Sequence, residues 1–331
     1  MSETKLDRLV AMLREAPDEV FIQPHNVPDP DAISSSLGLY YLLKLRGLEK
    51  TKIVYDQEIE KTNSLKMLEL FEVHMLRSQD AHTLGTEDWA VLVDAQKGNA
   101  NITDLPTDEV AAIDHHEYRG NQGYRFEDIR PGVGSCSAII AEYYFENDIP
   151  PPRHIATALL YGIFMDTDNL TRGTSVLDID MFYRLYGLAD ITLITELRGN
   201  DIARKDLSLY AEAFKTVETY DELGFLRLAS ANDSLLGAAG DIVISVSGVN
   251  VVVAYAIRDT GIKLSVRSAL ASVKANDLVC HIVEGVGVGG GHSHMAGGFI
   301  PRENLSDARS VDTFLKHRAI SFYEQAAAGH P

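Results

Sequence analysis

Two stretches, DWAVLVDAQ (residues 88–96) and EVAAIDHH (109–116), limit the fold more than anything else in this chain. Each holds an apolar run too short for a stable helix. The apolar residues follow one another without alternation, as in a strand covered on both faces. Such strands belong to parallel sheets, whose neighbours are joined by crossover helices. Both runs end on residues that bind cations: Asp94 in the first, and Asp114, His115 and His116 in the second.

The rest of the first half supplies partner strands and crossovers. DEVFIQP (18–24) and TKIVYDQ (51–57) read as short strands. The N-terminal segment reads as an amphipathic helix with Leu6, Leu9, Val10 and Leu13 on one face. DAISSSLGLYYLLKLRG (31–47) reads as a helix with Asp31 or a nearby serine as N-cap. NSLKMLELFEVHML (63–76) and GSCSAIIAEYYFEND (134–148) are also helical by pattern, the second stopped by Pro150–Pro152. HIATALLYGIFMDTD (154–168) is apolar nearly all round and reads as a buried helix. This alternation predicts an α/β fold with an N-terminal doubly wound, mainly parallel sheet and helices on both faces.

Residues 178–220 read as helical without strand signals, and the link between domains is placed near Leu197–Lys205. The pattern then changes. FLRLASA (225–231), DIVISVSG (241–248), VNVVVAYAIRD (249–259) and IKLSVRSA (262–269) read as strands separated by Gly, Asn and Asp turns, and a helix over 310–329 ends the chain. The expectation is a larger domain over residues 1–190, a helical linker over 191–215 and a smaller C-terminal mixed α/β domain over 216–331, with a cleft between domains.

Charge narrows the partners. The formal net charge is −18 and no Lys/Arg run is present, so a long nucleic-acid duplex is not expected. No apolar run approaches the ~20 residues that span a bilayer. The charged N-terminus does not read as a signal peptide, and two distant cysteines do not make a disulfide framework. A cytoplasmic protein acting on small phosphorylated molecules is the expectation; a homodimer is left open.

Four patches could hold metal: His25, Asp29 and Asp31 in HNVPDPD; Asp94; Asp114–His116; and Asp166 in FMDTDN, near Asp168. Pro28 and Pro30 are expected to keep the first patch extended, so that Asp29 and Asp31 point to opposite sides and serve different ions. Taken singly, each patch has an ordinary reading: an Asx turn, a strand-end cap, a surface imidazole pair, or a helix-end carboxylate paired with Arg172. It is their joint occurrence at strand ends and at the end of a buried helix that points to metal. An oxygen-rich set with some imidazole and no thiolate favours two divalent cations, Mn²⁺ first, with Mg²⁺, Co²⁺, Fe²⁺ or Zn²⁺ as alternatives. Paired cations of this kind activate water in phosphoester hydrolysis.

A second candidate site lies in GVGVGGGHSHMAGGFI (285–300). Gly289, Gly290 and Gly291 could cradle an anion with backbone amides, and His292 or His294 could contact a phosphate or base. Arg267 shares a strand face with Ser265 and could fork onto a phosphate. The ordinary readings are a flexible loop and a surface cation.

These residues together resemble the DHH phosphoesterase superfamily, and more narrowly its DHH–DHHA1 branch of nano-RNase, exopolyphosphatase-like and RecJ-like proteins. The resemblance rests on HNVPDPDAISSSLGL, VLVDAQ, IDHHEY, GIFMDTDN and GGGHSHMAGG, which follow one another along nearly the whole chain. It implies one ion held by His25, Asp29, Asp94 and Asp166 and another held by Asp31, Asp94, His115 and Asp166. It further implies that His116 faces the scissile phosphate and that Asp114 orients the histidine pair. Arg267, Ser265 and the 289–292 segment would hold the far end of a substrate. Pro30 and Asp168 replace glycines common in the family, AQKGN (95–99) lacks a usual Arg, EYRGN (117–121) lacks a usual Ser-Asn, and His294 is additional. Those departures bear on the substrate, not on the ligands. The implied activity is hydrolysis of short oligonucleotides or linear dinucleotides such as pApA to mononucleotides. Alternatives are 3′-phosphoadenosine 5′-phosphate, short polyphosphate or pyrophosphate as substrate, or a nucleotide sensor without turnover.

Overall fold

A computed structural model of the chain describes residues 3–59, 61–99, 101–118, 120, 122–198, 204, 207–229, 231–304 and 310–328. The chain divides into two compact units, Met1–Asp201 and Ile202–Pro331.

The first unit opens with helix α1 (Lys5–Leu13), which buries Leu6, Leu9, Val10 and Leu13 and is capped by Thr4. Strands β1 (Val20–Pro24), β2 (Thr51–Tyr55), β3 (Met75–Arg77), β4 (Trp89–Val93), β5 (Asp108–Asp114) and β6 (Phe126–Ile129) form one sheet in the order β3-β2-β1-β4-β5-β6. Every pairing in it is parallel. Helices α2 (Pro30–Leu45), α4 (Cys136–Glu146) and α5 (Arg153–Asp166) pack together over one face, where Ile22, Val91 and Ile113 join the main core. On the other face, Ala81, Leu84 and Leu105 cover Phe21 and Val54.

Two elements differ from the sequence reading. Helix α3 (Thr62–Leu70) stops early, because Glu72 turns left-handed at φ 49°. Its expected last turn instead becomes edge strand β3. Strand β6 has two buried and two more accessible positions, too short a pattern to announce itself. Helices α6 (Val176–Tyr186), α7 (Ile191–Arg198) and α8 (Leu207–Thr216) follow. The middle of the expected linker, residues 199–203, 205 and 206, lies outside the described residues.

The second unit has a sheet of β7 (Glu218–Tyr220), β8 (Leu223–Leu228), β9 (Val251–Arg258), β10 (Gly261–Ser268), β11 (Val288–Gly291) and β12 (Met295–Pro301), ordered β11-β12-β10-β9-β8-β7. Among the described residues, only β8 and β9 pair in parallel; the other pairings are antiparallel. Helices α8, α9 (Asp233–Val243), α10 (Ala275–Val283) and α11 (Val311–Ala328) complete it, α8 packing on β8 and α9. DIVISVSG is not a strand: Asp241–Val243 form the last turn of α9, and a turn follows. Asn232 caps α9 by accepting from the Leu235 amide at 2.8 Å. Gly237 and Gly240 lower the helical propensity of this segment and so hide it in the sequence. The glycine run is likewise no loop, since Val288–Gly291 pairs with β12 as an edge strand.

Candidate metal centre

In an open parallel sheet, ligands gather outside the carboxyl ends of the strands where strand order reverses. Here that point lies between neighbouring strands β1 and β4. The segment leaving β1 carries His25 and Asp29, and Asp94 follows β4 directly. Next to β4 stands β5, which ends at Asp114 and continues into His115 and His116.

The His25–Asp31 segment is not extended throughout. Pro30 is the first residue of α2, where a missing N–H costs nothing. Asp29 is the N-cap, accepting from the amides of Asp31 (3.0 Å) and Ala32 (3.2 Å), so neither Asp31 nor a serine has that role. Asp31 sits within the first helical turn. It departs from Asp29 through cap geometry, not through strand alternation. Both Asp31 oxygens accept backbone amides at the start of α4, from Cys136 (2.7 Å) and Ser137 (2.9 Å).

The side chains converge in two groups that share a neighbour. His25 Nε2 lies 3.8 Å from Asp29 Oδ1 and 3.7 Å from Asp94 Oδ2. His115 Nε2 lies 3.0 Å from Asp166 Oδ2 and 3.3 Å from Asp94 Oδ1. Ligand atoms of His25, Asp29 and Asp94 fall within 4.8 Å of one another, and so do those of Asp31, His115 and Asp166. Asp94 touches both sets, whereas Asp166 falls in the second. A third group, Asp94, Asp114, His115 and His116, overlaps them. Asp168 is exposed, at φ 46°, and belongs to none of these groups. Arg172 reaches the Asp166 backbone carbonyl (3.1 Å) and leaves the carboxylate to His115.

The tautomers follow from the outer partners. His25 Nδ1 faces the Asn26 carbonyl at 2.8 Å and His115 Nδ1 faces the Val133 carbonyl at 3.1 Å. A carbonyl accepts only, so each Nδ1 carries a proton and each Nε2 is the nitrogen turned toward the carboxylates. His115 Nε2 and Asp94 Oδ1 are both buried without a hydrogen-bond partner. Asp114 fixes the pair from behind: its Oδ1 accepts from the His115 amide (2.8 Å) and from His116 Nδ1 (2.8 Å), and its Oδ2 accepts from Gln96 (2.7 Å).

Electrostatics tells the same story. Burial would lower His25, but Asp29 and Asp94 carry it up to about 9. Burial likewise disfavours charge on His115, yet Asp166 and Asp94 push it well above its ordinary value. Asp31 is raised by burial and by the nearby Asp94 and Asp166. Burial would raise Asp29 and Asp114 too, but His25 and His116 hold them below the ordinary carboxylate range, so negative charge gathers at a site that favours a cation. Asp94 is held there at φ 57°, a strained backbone for an aspartate, with its amide bonded to the Ile113 carbonyl (2.9 Å).

Two contributors carry no motif in the sequence. Gly162 of α5 faces this corner: a Cβ there would lie 2.2 Å from Ser137 Oγ and 3.0 Å from Asp31 Oδ1. A glycine inside an otherwise apolar helix was the available signal. Asp178, fully buried, accepts from the Gly134 amide (2.8 Å) and Ser135 hydroxyl (2.8 Å) and so anchors the entry to α4.

In the second unit, Arg267 and Ser265 share a face of β10, with Nη1 donating to Ser265 Oγ at 2.9 Å. The remaining guanidinium edge meets Asp241 of α9 through Nε and Nη2. Gly237 leaves room for this, because a Cβ there would come 2.9 Å from Arg267 Nη2. Gly289, Gly290 and Gly291 are exposed on β11, and His292 begins its turn into β12, with its amide bonded to the Met295 carbonyl (2.7 Å). His294 Nδ1 lies 3.3 Å from the Ser268 carbonyl.

Among the described residues, no helix is long and apolar enough to cross a membrane. Comparison with known proteins bears on the family. The model of the DHH family N-terminal domain matches residues 19–163, and that of the DHHA1 domain matches residues 223–316. An uncharacterized protein of Methanocaldococcus jannaschii is 28% identical over 287 residues, covering 85% of this chain and 58% of that protein. A probable manganese-dependent inorganic pyrophosphatase of Streptococcus thermophilus is 30% identical over 156 residues, covering 45% and 48%. The cyclic-di-AMP phosphodiesterase PdeA of Listeria monocytogenes is 28% identical over 251 residues, covering 67% and 38%. The chain thus spans about half the length of these curated relatives. An exopolyphosphatase-related protein of Bacteroides fragilis has the same fold, with a TM-score of 0.76 at 18% identity, covering 99% of this chain and 97% of that one. With both domain models matched in order along the chain, the chain belongs to the DHH/DHHA1 superfamily.

Proposed function

We propose that this chain is a metal-dependent phosphoesterase whose substrates are short oligonucleotides or linear dinucleotides, cleaved to mononucleotides. One observation carries the reading. Asp94 stands between two groups of imidazole and carboxylate ligands, and its Oδ1 and the His115 Nε2 are buried without hydrogen-bond partners. Buried polar atoms of that kind are costly unless something satisfies them. The residues present fit two divalent cations.

His25, Asp29 and Asp94 would hold one cation, and Asp31, His115 and Asp166, with Asp94 between, the other. A bound pair lowers the pKa of coordinated water and offsets charge on phosphoryl oxygens. The protein does the remainder. Val133 and Asn26 set the histidine tautomers. Asp114 holds His116 through Nδ1, so that Nε2 is the nitrogen able to face a phosphate or pass a proton to a leaving oxygen. The oxygen-rich donor set suits Mn²⁺, and a relative of this chain is described as manganese-dependent.

Likeness to the phosphodiesterase extends over 67% of this chain and likeness to the pyrophosphatase over 45%. The first span, together with the DHHA1 match, favours a nucleotide diester over pyrophosphate. Arg267, Ser265, Gly289–Gly291 and His292 are the proposed substrate-holding groups of the second unit. Purified protein with Mn²⁺ is to be given pApA, short RNA, 3′-phosphoadenosine 5′-phosphate, pyrophosphate and tripolyphosphate. Mononucleotide release from pApA or short RNA is expected. Hydrolysis of pyrophosphate alone, or of nothing in the panel, would overturn the reading.

A further inference from the structure

Behind the His25–Asp29 segment lies a chain of hydrogen bonds reaching residues that contact none of the candidate ligand side chains. His25 gives its Nδ1 proton to the Asn26 carbonyl. Asn26 is in turn held at three points: its amide donates to the Asn101 carbonyl (2.7 Å), its Nδ2 donates to Thr103 Oγ1 (2.9 Å), and its Oδ1 accepts the Thr103 amide (3.2 Å). Thr103 spends its one hydroxyl proton on Asp56 Oδ2 at 2.8 Å, which leaves its oxygen free to accept from Asn26. Asp56 also takes the Ser78 hydroxyl, and its carbonyl accepts the Val27 amide at 3.3 Å. Gln23 of β1 donates to the Thr103 carbonyl at 2.8 Å.

Val27 explains why so much is fastened here. It has φ 52°, a left-handed conformation that a β-branched residue seldom adopts. A following proline disfavours the helical regions further. A strained residue of this kind persists only where its surroundings over-determine it. The kink at Val27 lets His25 and Asp29 meet on one side instead of continuing along the strand direction. The fastening comes from the segments after two other strands, Asp56 after β2 and Thr103 beyond β4.

We propose that Thr103 and Asp56 are positioning residues for one cation site. Through Asn26 they hold the strained turn that directs His25 Nε2 and Asp29 at a common point. The inference rests on the metal-centre reading above and deepens it.

The test is Mn²⁺ binding by titration calorimetry on the full chain, for wild type, Thr103→Val, Thr103→Ser and Asp56→Ala, with thermal melting in chelator as a second readout. Thr103→Val keeps the shape and removes the hydroxyl. Loss of an outer partner typically weakens metal binding about 10- to 100-fold, so one of two binding steps is expected to weaken by that factor while the other stays. Thr103→Ser restores it, and Asp56→Ala repeats the defect. Two unaltered steps in Thr103→Val would overturn the proposal. So would weakening of both steps in proportion to a fall in melting temperature, since that is the mark of a merely structural role. If wild type itself binds no Mn²⁺, it is the metal-centre reading that fails, and the two failures are told apart.

Discussion

Asp94 Oδ1 and His115 Nε2 lie 3.3 Å apart, both buried, and neither makes a hydrogen bond. With the Nδ1 proton of His115 given to Val133, its Nε2 and the Asp94 oxygen face one another across that gap with their bonding capacity unmet. A cation between the two sides relieves it. Asp94→Ala and His115→Ala should therefore cost Mn²⁺-dependent turnover more than the roughly 100-fold that loss of an outer partner costs. Steady-state hydrolysis of pApA checks this; near-normal turnover in either variant would contradict the assignment.

Asp114 acts through the histidines it holds. Asp114→Ala removes the acceptor of His116 Nδ1 and of the His115 amide without removing a proposed ligand of either cation. A fall in kcat of about 10- to 100-fold with both Mn²⁺ still bound is expected, read by pairing kinetics with metal analysis.

Gly162→Ala tests the packing behind Asp31. The added methyl would overlap Ser137 Oγ at 2.2 Å and press on Asp31 Oδ1 at 3.0 Å. Overpacking of this kind costs about 1–3 kcal/mol. Chemical denaturation should show that loss, together with weaker Mn²⁺ binding.

Much of this was legible beforehand. The apolar runs ending at Asp94 and Asp114 fixed a parallel sheet, and the buried face of α1 was readable from the spacing of Leu6, Leu9, Val10 and Leu13. What was not legible depended on context. Pro30 reads as a residue that keeps the chain extended, but at the first helical position it is compatible with the helix. Gly237 and Gly240 obscured α9, and their reason became visible only with Arg267 packed beside them. Gly289–Gly291 have poor strand propensity, and only pairing with β12 makes them a strand.

Arg267→Ala examines the second unit. Charged hydrogen bonds contribute about 1.5–3 kcal/mol, so KM for pApA should rise roughly 10- to 100-fold, with Mn²⁺ binding intact. Unchanged KM would remove Arg267 from substrate recognition and leave it as the partner of Asp241.

Asp128 gives the expected pH dependence of stability. Burial would raise its carboxyl, but Arg130 and Lys5 outweigh that and hold it below the ordinary range; Tyr143 also donates to it at 2.8 Å. A carboxyl depressed on folding stabilises the fold above its unfolded value near about pH 4 and loses that contribution as pH falls through the folded value. Asp128→Asn should cost on the order of 3 kcal/mol at neutral pH. The gap to wild type should close progressively below about pH 4 in thermal melts.

The most direct measurement is an anomalous difference map from crystals grown with Mn²⁺. Two peaks are expected, one among His25, Asp29 and Asp94 and the other among Asp31, His115 and Asp166, with Asp94 reaching toward both. An empty centre at saturating Mn²⁺, or peaks only elsewhere, would contradict the account.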